Sequence, residues 1–192
     1  MVVDVGPVLI RRRVFVPWHY LWIPACRDTV GDMSTWRPKP EIRVKALGLH
    51  WRDERLLAAE VYRDDGSVKG VRPLGGSIEF GEPAEVALRR EFKEELGVNV
   101  EVLGGPILME NLYFHEGVTG HEVLFIFEVD LPPAAFNNRD YITFQESDGT
   151  LCTERWYDLD LLDQAGGLEL YPAGLKTLLT TPPGARSSDQ EG

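Results

Sequence analysis

The chain is expected to fold as an α/β protein, a mixed β-sheet covered by helices. Three observations predict this. Strand-like segments recur along most of the chain, one helix carries clear start and stop residues, and a shorter helical pattern follows the last strand.

Taken in order, the Pro-rich Arg37–Pro40 opens the ordered part, and the mostly apolar Ile42–His50 reads as a first strand. Arg55–Tyr62 reads as a second, with Arg52-Asp53-Glu54 as the hairpin turn between them, and Asp64-Asp65-Gly66-Ser67 marks another turn. A glycine-rich loop, Leu74-Gly75-Gly76-Ser77, follows. Pro83 suits the first turn of a helix because its missing N–H is not needed there, so a helix is expected over Pro83–Leu96, ending at Gly97. Val98–Val102 and Ile107–Phe114 read as strands, the latter forming a hairpin with His121–Val129 across Gly117-Val118-Thr119-Gly120. Leu131-Pro132-Pro133 ends that hairpin, and residues 134–150, rich in Asn, Asp and Ser, read as a loop. Thr153–Asp158 reads as a short strand, Leu159–Gln164 as a helical turn and Pro172–Thr180 as a final helix.

The 192 residues suffice for one domain with its own core. Expected boundaries are an N-terminal extension over 1–36, a domain over 37–181 and a disordered polar tail over 182–192, with Met33 as an alternative working start. A net charge of -11 excludes a surface that coats nucleic acid. Cys26 and Cys152 stand far apart in no metal-like spacing, which suggests a reducing compartment. No run approaches the ~20 apolar residues of a membrane span. Val14–Ala25, after Arg11-Arg12-Arg13, has the flanks of a signal peptide, but Pro17, His19, Trp22 and Pro24 interrupt it. The protein is therefore expected in the cytoplasm, away from membranes.

The stretch from Gly76 to Val98 carries the chemistry. On a helical wheel Phe92, Leu96 and Ala84 group around Leu88 as a buried stripe. Glu95 falls about 20°, Glu91 about 60° and Glu94 about 120° from Leu88, so three carboxylates crowd the border of that stripe. A solvated acidic face would carry interleaved opposite charges. Arg90 to Glu94 is one such pair, but Glu91 and Glu95 are like charges at i,i+4. A bound divalent cation removes the conflict, and glutamate oxygens suit magnesium or manganese rather than zinc. Gly75 and Gly76 would let the preceding backbone approach a ligand, so that a carbonyl can face the metal.

The spacing of Gly76, Glu82 and Arg90-Glu91-Phe92-Lys93-Glu94-Glu95-Leu96-Gly97-Val98 resembles the signature of the Nudix hydrolase family at every fixed position. The flanking strands and Trp156-Tyr157-Asp158 extend the resemblance to about residues 40–180. It implies an α/β/α sandwich with a mixed sheet, and a magnesium- or manganese-dependent hydrolase of a diphosphate linkage. The substrate would be a nucleoside diphosphate linked to a moiety X: a nucleoside triphosphate, an ADP-ribose or a sugar nucleotide. Glu91, Glu94, Glu95 and the Gly76 carbonyl match the family's metal ligands. Glu91, Glu94 and Arg90 are the expected catalytic residues, and Glu82 would hold the loop. The alternative is a non-catalytic nucleotide sensor on the same fold, but sensors often lose acidic positions and none is missing here.

Outside that stretch, Glu122 and Glu146 are candidates for an extra ligand or base, although Glu122 reads first as a hairpin-end carboxylate in solvent. Arg72 is a candidate phosphate contact. His115 and His121 flank a turn and read as ordinary hairpin histidines. Tyr113, Phe114 and Trp156 read as core aromatics before base-stacking ones. A homodimer is compatible with the chain.

Overall fold

The computed structural model describes residues 37–132, 135–136, 141–145 and 151–181. The extension over 1–36 with Cys26, the tail over 182–192 and Glu146 lie outside the described residues. Ten strands form one curled mixed sheet: β1 (Ile42–Leu49), β2 (Trp51–Arg52), β3 (Arg55–Tyr62), β4 (Val68–Ser77), β5 (Glu101–Val102), β6 (Ile107–His115), β7 (Val118–Asp130), β8 (Tyr141–Gln145), β9 (Leu151–Asp158) and β10 (Glu169–Leu170). Among the described residues two helices accompany them, α1 (Ala84–Leu96) and α2 (Leu175–Thr180). The main strand order is β5-β7-β1-β4-β3-β9-β8, with β6 beside β7, β10 beside β4 and β2 beside β3. The sheet is mixed because β1 runs parallel to β7 and antiparallel to β4.

Strand alternation builds two cores, one on each face. Ala46, Leu57, Leu74, Phe127 and Val129 point to one side, where Ala87, Leu88 and Phe92 of α1 cover them. Leu47, Leu49, Leu56, Ala58, Leu124 and Ile126 point to the other, under Leu162, Leu170 and Leu175 of the C-terminal segment. The expected α/β fold with helices on both faces is what forms. Phe92 is fully buried, and its ring lies so close to Gly48 that a Cβ there would meet it at 2.7 Å. Burying such a ring contributes about 1.5–3 kcal/mol.

Several boundaries differ from the sequence expectation, each for a local reason. Leu74–Ser77 is not a loop but the end of β4, paired with Gly48–Lys45 of β1; the loop comes after it. The β6–β7 turn is two residues, not four. Glu116 (φ 44) and Gly117 (φ 89) both take left-handed backbone, which matches the strand twist and lets Val118–Gly120 stay in the ladder. Asp53 (φ 52) and Glu54 (φ 62) make the same kind of turn between β2 and β3. Only Glu101–Val102 of Val98–Val102 pairs as a strand; ahead of it the Val100 carbonyl is taken by Arg89 rather than by a neighbouring strand. Residues 134–150 are not all loop: β8 lies within them, its Tyr-Ile-Thr-Phe run hidden among Asn, Asp and Ser. The last helix starts at Leu175 rather than Pro172, since Gly174 sits at φ 87, outside helical space.

Candidate active site

Helix α1 starts without a side-chain cap and ends at Gly97 (φ 70), whose N–H donates to the Lys93 carbonyl. Between β4 and α1 the chain turns through residues 78–83, tied by Glu82 N–H to the Glu79 carbonyl (3.0 Å) and by Glu79 N–H to Glu82 Oε2 (3.1 Å). Arg90 joins this loop to the helix. Its Nε donates to Glu82 Oε1 and its Nη2 to Glu82 Oε2, both at 3.0 Å, a bidentate pair. Nη2 also donates to the Ser77 carbonyl at 3.0 Å. Nη1 donates to Glu91 Oε1 at 2.8 Å and to Glu94 Oε2 at 3.2 Å. One guanidinium thus gathers three carboxylates and the end of β4. The Arg90 bond holds the Glu82 carboxyl below its ordinary value, and Glu82 in turn raises Arg90.

Glu91 and Glu95 are buried, while Glu94 is exposed. Burial pushes the Glu91 carboxyl above its ordinary value against the pull of Arg90. Its carboxylate lies directly over Gly76, where a Cβ would meet the carboxyl carbon at 2.3 Å. Gly75 is needed for a different reason: its φ is 130, and a Cβ would meet the Ala46 carbonyl oxygen at 2.1 Å. The two glycines therefore let β4 pass beneath the helix closely enough to present its backbone beside Glu91.

Carboxylate and carbonyl oxygens are hard donors, a chemistry that fits magnesium or manganese. Two of the carboxylates already converge on one cationic nitrogen, Nη1 of Arg90, so their oxygens can be brought to a common cation. Among the described residues no three acidic, histidine or cysteine side chains surround a single point. A metal ion would therefore draw on a rearranged Glu94 or on the backbone.

Glu122 is not the solvated hairpin carboxylate expected. It is buried beside Arg43 (Nη2 to Oε1, 2.7 Å), Lys45 (3.6 Å) and Asn111 (Nδ2 to Oε2, 3.2 Å), because β7 runs parallel to β1 and sets Glu122 opposite Arg43. Burial works to raise its carboxyl, but Lys45, Arg72 and Arg43 outweigh that and hold it below its ordinary value. Burial, with help from Arg72, brings Lys45 down to about 7. Arg72 donates to the Gly75 carbonyl at 3.1 Å and meets no carboxylate within ion-pair distance among the described residues. Three basic side chains thus act on one carboxylate, and Lys45 acts on Glu91 as well, in a strongly acidic protein. Sequence reading missed Arg43 and Lys45. The available signal was their spacing of two in a strand otherwise apolar, which puts both on one face.

The remaining candidates scatter. His121 Nε2 bonds Glu110 at 2.9 Å, and buried His115 stands at the other end of the β6–β7 turn, so the structure does not bring them together as a ligand pair. Trp156 is core, with the Arg52 guanidinium 3.5 Å from its ring centroid. Tyr113 is half-buried, its hydroxyl bonded by Arg43 Nη2 at 2.5 Å. Phe114 is not core but exposed, because its β6 face is left uncovered.

No curated protein matches the chain. Among solved structures, the E. coli ORF135 protein is 20% identical over 79% of this chain and 96% of its own (TM-score 0.48). A MutT NUDIX hydrolase from Burkholderia pseudomallei is 20% identical over 73% and 99% (TM-score 0.48). An ADP-ribose pyrophosphatase from Streptococcus suis is 19% identical over 67% and 79% (TM-score 0.40). The NUDIX domain family matches residues 41–174, well over half of the chain and all of α1 with its loop. This chain belongs to the NUDIX domain family and is an enzyme of the Nudix pyrophosphohydrolase type.

Proposed function

We propose that the protein is a magnesium-dependent hydrolase that cleaves the diphosphate linkage of a nucleoside diphosphate bonded to a moiety X. The observation that carries this reading is the Arg90 clamp, which bonds Glu82, Glu91 and Glu94 while the Glu91 carboxylate lies over Gly76. Manganese is the natural substitute for magnesium. The domain that does this work spans 37–181, with 1–36 as an extension, and its two cysteines suit a reducing cytoplasm. Among the described residues no helix is long and apolar enough to cross a membrane.

Glu91, Glu94, Glu95 and the Gly76 carbonyl would hold the metal, which would neutralise diphosphate charge, polarise a phosphoryl oxygen and acidify a water. Arg72 offers guanidinium N–H groups to a phosphate oxygen. Glu91 and Glu94 are the candidates for taking the proton of the attacking water. Water oxygen bonds to one phosphorus, and the bridging oxygen departs with the other phosphate. Glu82 and Arg90 position these groups without touching substrate.

The test uses Glu94→Gln and Glu95→Gln, which keep side-chain size and remove a negative oxygen. Purified protein is assayed against a panel of nucleoside diphosphate derivatives with magnesium, manganese or chelator. Wild type turns over only with metal, and each variant loses most turnover while staying folded. Magnesium raises the wild-type melting temperature more than that of either variant, since it binds the folded state alone. Equal magnesium responses with equal turnover in all three proteins reject the reading.

A further inference from the structure

Behind the glycine end of β4 lies a buried cation, Lys45 of β1. Lys45 stands opposite Ser77, and its neighbour Ala46 stands opposite Gly76. Ala46 faces α1 and Leu47 the other core, so strand alternation turns Lys45 away from α1, onto the face that carries Glu122. Its ammonium is 3.6 Å from Glu122 Oε1, and at 3% exposure Lys45 is too deep to touch a bound substrate. On the α1 face the Glu91 carboxylate lies over Gly76, at the place a Cβ would take. Gly75 and Gly76 add no side chain to either face, so the sheet is thin here and charge on one face is felt on the other. Lys45 accordingly joins Arg90 in pulling the Glu91 carboxyl down against burial.

We propose that Lys45 is a positioning residue whose charge selects the form in which the site takes up its metal, disfavouring free magnesium relative to the magnesium complex of a diphosphate. The inference rests on the metal-dependent reading given above. Its core is the sign of the incoming charge. A free divalent ion brings two positive charges to Glu91, inside the field of Lys45 and in a buried setting where salt screens little. The oxygens of a diphosphate cancel that charge before it arrives, so the complex does not meet the same repulsion. The surroundings of Lys45 support a role for the charge itself. Arg43 on its own strand and Arg72 on β4 press on it as like charges, and Glu122 on β7 is the acid that balances them. Holding an ammonium there is costly, and an apolar side chain of the same length would fill the space without that cost.

Calorimetric titration of the full chain tests this at about pH 6, below the value of about 7 to which burial brings Lys45, so that the ammonium is charged. Two probes are compared: magnesium chloride alone, and the preformed magnesium complex of methylenediphosphonate, a diphosphate analogue that resists hydrolysis. Lys45→Met removes the charge at nearly constant length and leaves Glu122 with Arg43 at 2.7 Å and Asn111 at 3.2 Å. The expected result is free magnesium bound about tenfold more tightly than by wild type, with the complex bound no more tightly. Lys45→Arg, which keeps the charge, retains the wild-type ratio of the two affinities. Lys45→Gln takes the place of Lys45→Met if that variant fails to fold. A ratio unchanged from wild type in a folded neutral variant overturns the proposal and leaves the metal-dependent reading standing, and so does a loss of both affinities together, which marks a structural role. A wild type that binds neither probe, and turns over nucleoside diphosphate derivatives in chelator, overturns the metal-dependent reading and this inference with it.

Discussion

Arg90 sits where three acidic side chains would otherwise repel one another. Its planar fork satisfies Glu82 bidentately while a third nitrogen serves Glu91 and Glu94. Replacing it with alanine leaves buried Glu91 without this cationic partner and unpins the loop from the helix. Because Arg90 is partly exposed, the expected loss is discounted for solvent to about 2 kcal/mol, read as a lower urea midpoint, together with a large loss of turnover. Arg90→Lys retains charge but not the fork, so it recovers only part of either. An Arg90→Ala protein with wild-type midpoint and turnover shows that the clamp does not organise the site. At this scale the sequence was informative about types and spacing. It placed Arg90 and the helical glutamates in reach of one another, because i,i+3 and i,i+4 neighbours share a helix face, whereas the role of Glu82 came only from the resemblance. It could not place Glu122, whose partners Arg43 and Lys45 lie about eighty residues away across a parallel strand pair.

At the scale of elements, the critical fit is that of α1 over the end of β4. Gly76 does not have left-handed backbone, so alanine there is not strained in itself. The difficulty is that its Cβ would occupy the place of the Glu91 carboxylate. Gly76→Ala is therefore expected to push Glu91 aside, lowering stability by about 1–3 kcal/mol as overpacking does. The larger effect is on function: the magnesium-dependent rise in melting temperature shrinks and turnover falls. A Gly76→Ala protein with an undiminished magnesium response argues against Glu91 as a ligand. The sequence marked these glycines as a loop because Gly-Gly commonly turns the chain. Here they are strand residues, since close passage of a helix and of the Ala46 carbonyl excludes any side chain from both.

At the scale of the whole molecule, β1 begins at Ile42, and among the described residues both cores are built from residues after it. A chain spanning Met33–Gly192 is accordingly expected to be soluble, with a melting temperature and turnover close to those of the full chain. Insolubility, or solubility without activity, would show that residues 1–32 belong to the working protein. Arg37, bonded twice to Asp64 at 2.9 and 2.6 Å, is retained in that shorter chain.

What the sequence determined by itself is local: the strand alternation, the helix between Pro83 and Gly97, and the acidic spacing that resembles the Nudix signature. Each of these depends on residues within one or two turns of chain, where periodicity and backbone preference are legible. Tertiary structure alone decided the parallel pairing of β1 with β7, which turns Glu122 from a hairpin carboxylate into a buried partner of two cations. It also decided where α1 stops covering the sheet, and so which apolar side chains of β1 and β6 are left facing water. Pairing and coverage are contacts between distant segments, set by the collective packing of both faces, and no short window of residues encodes them.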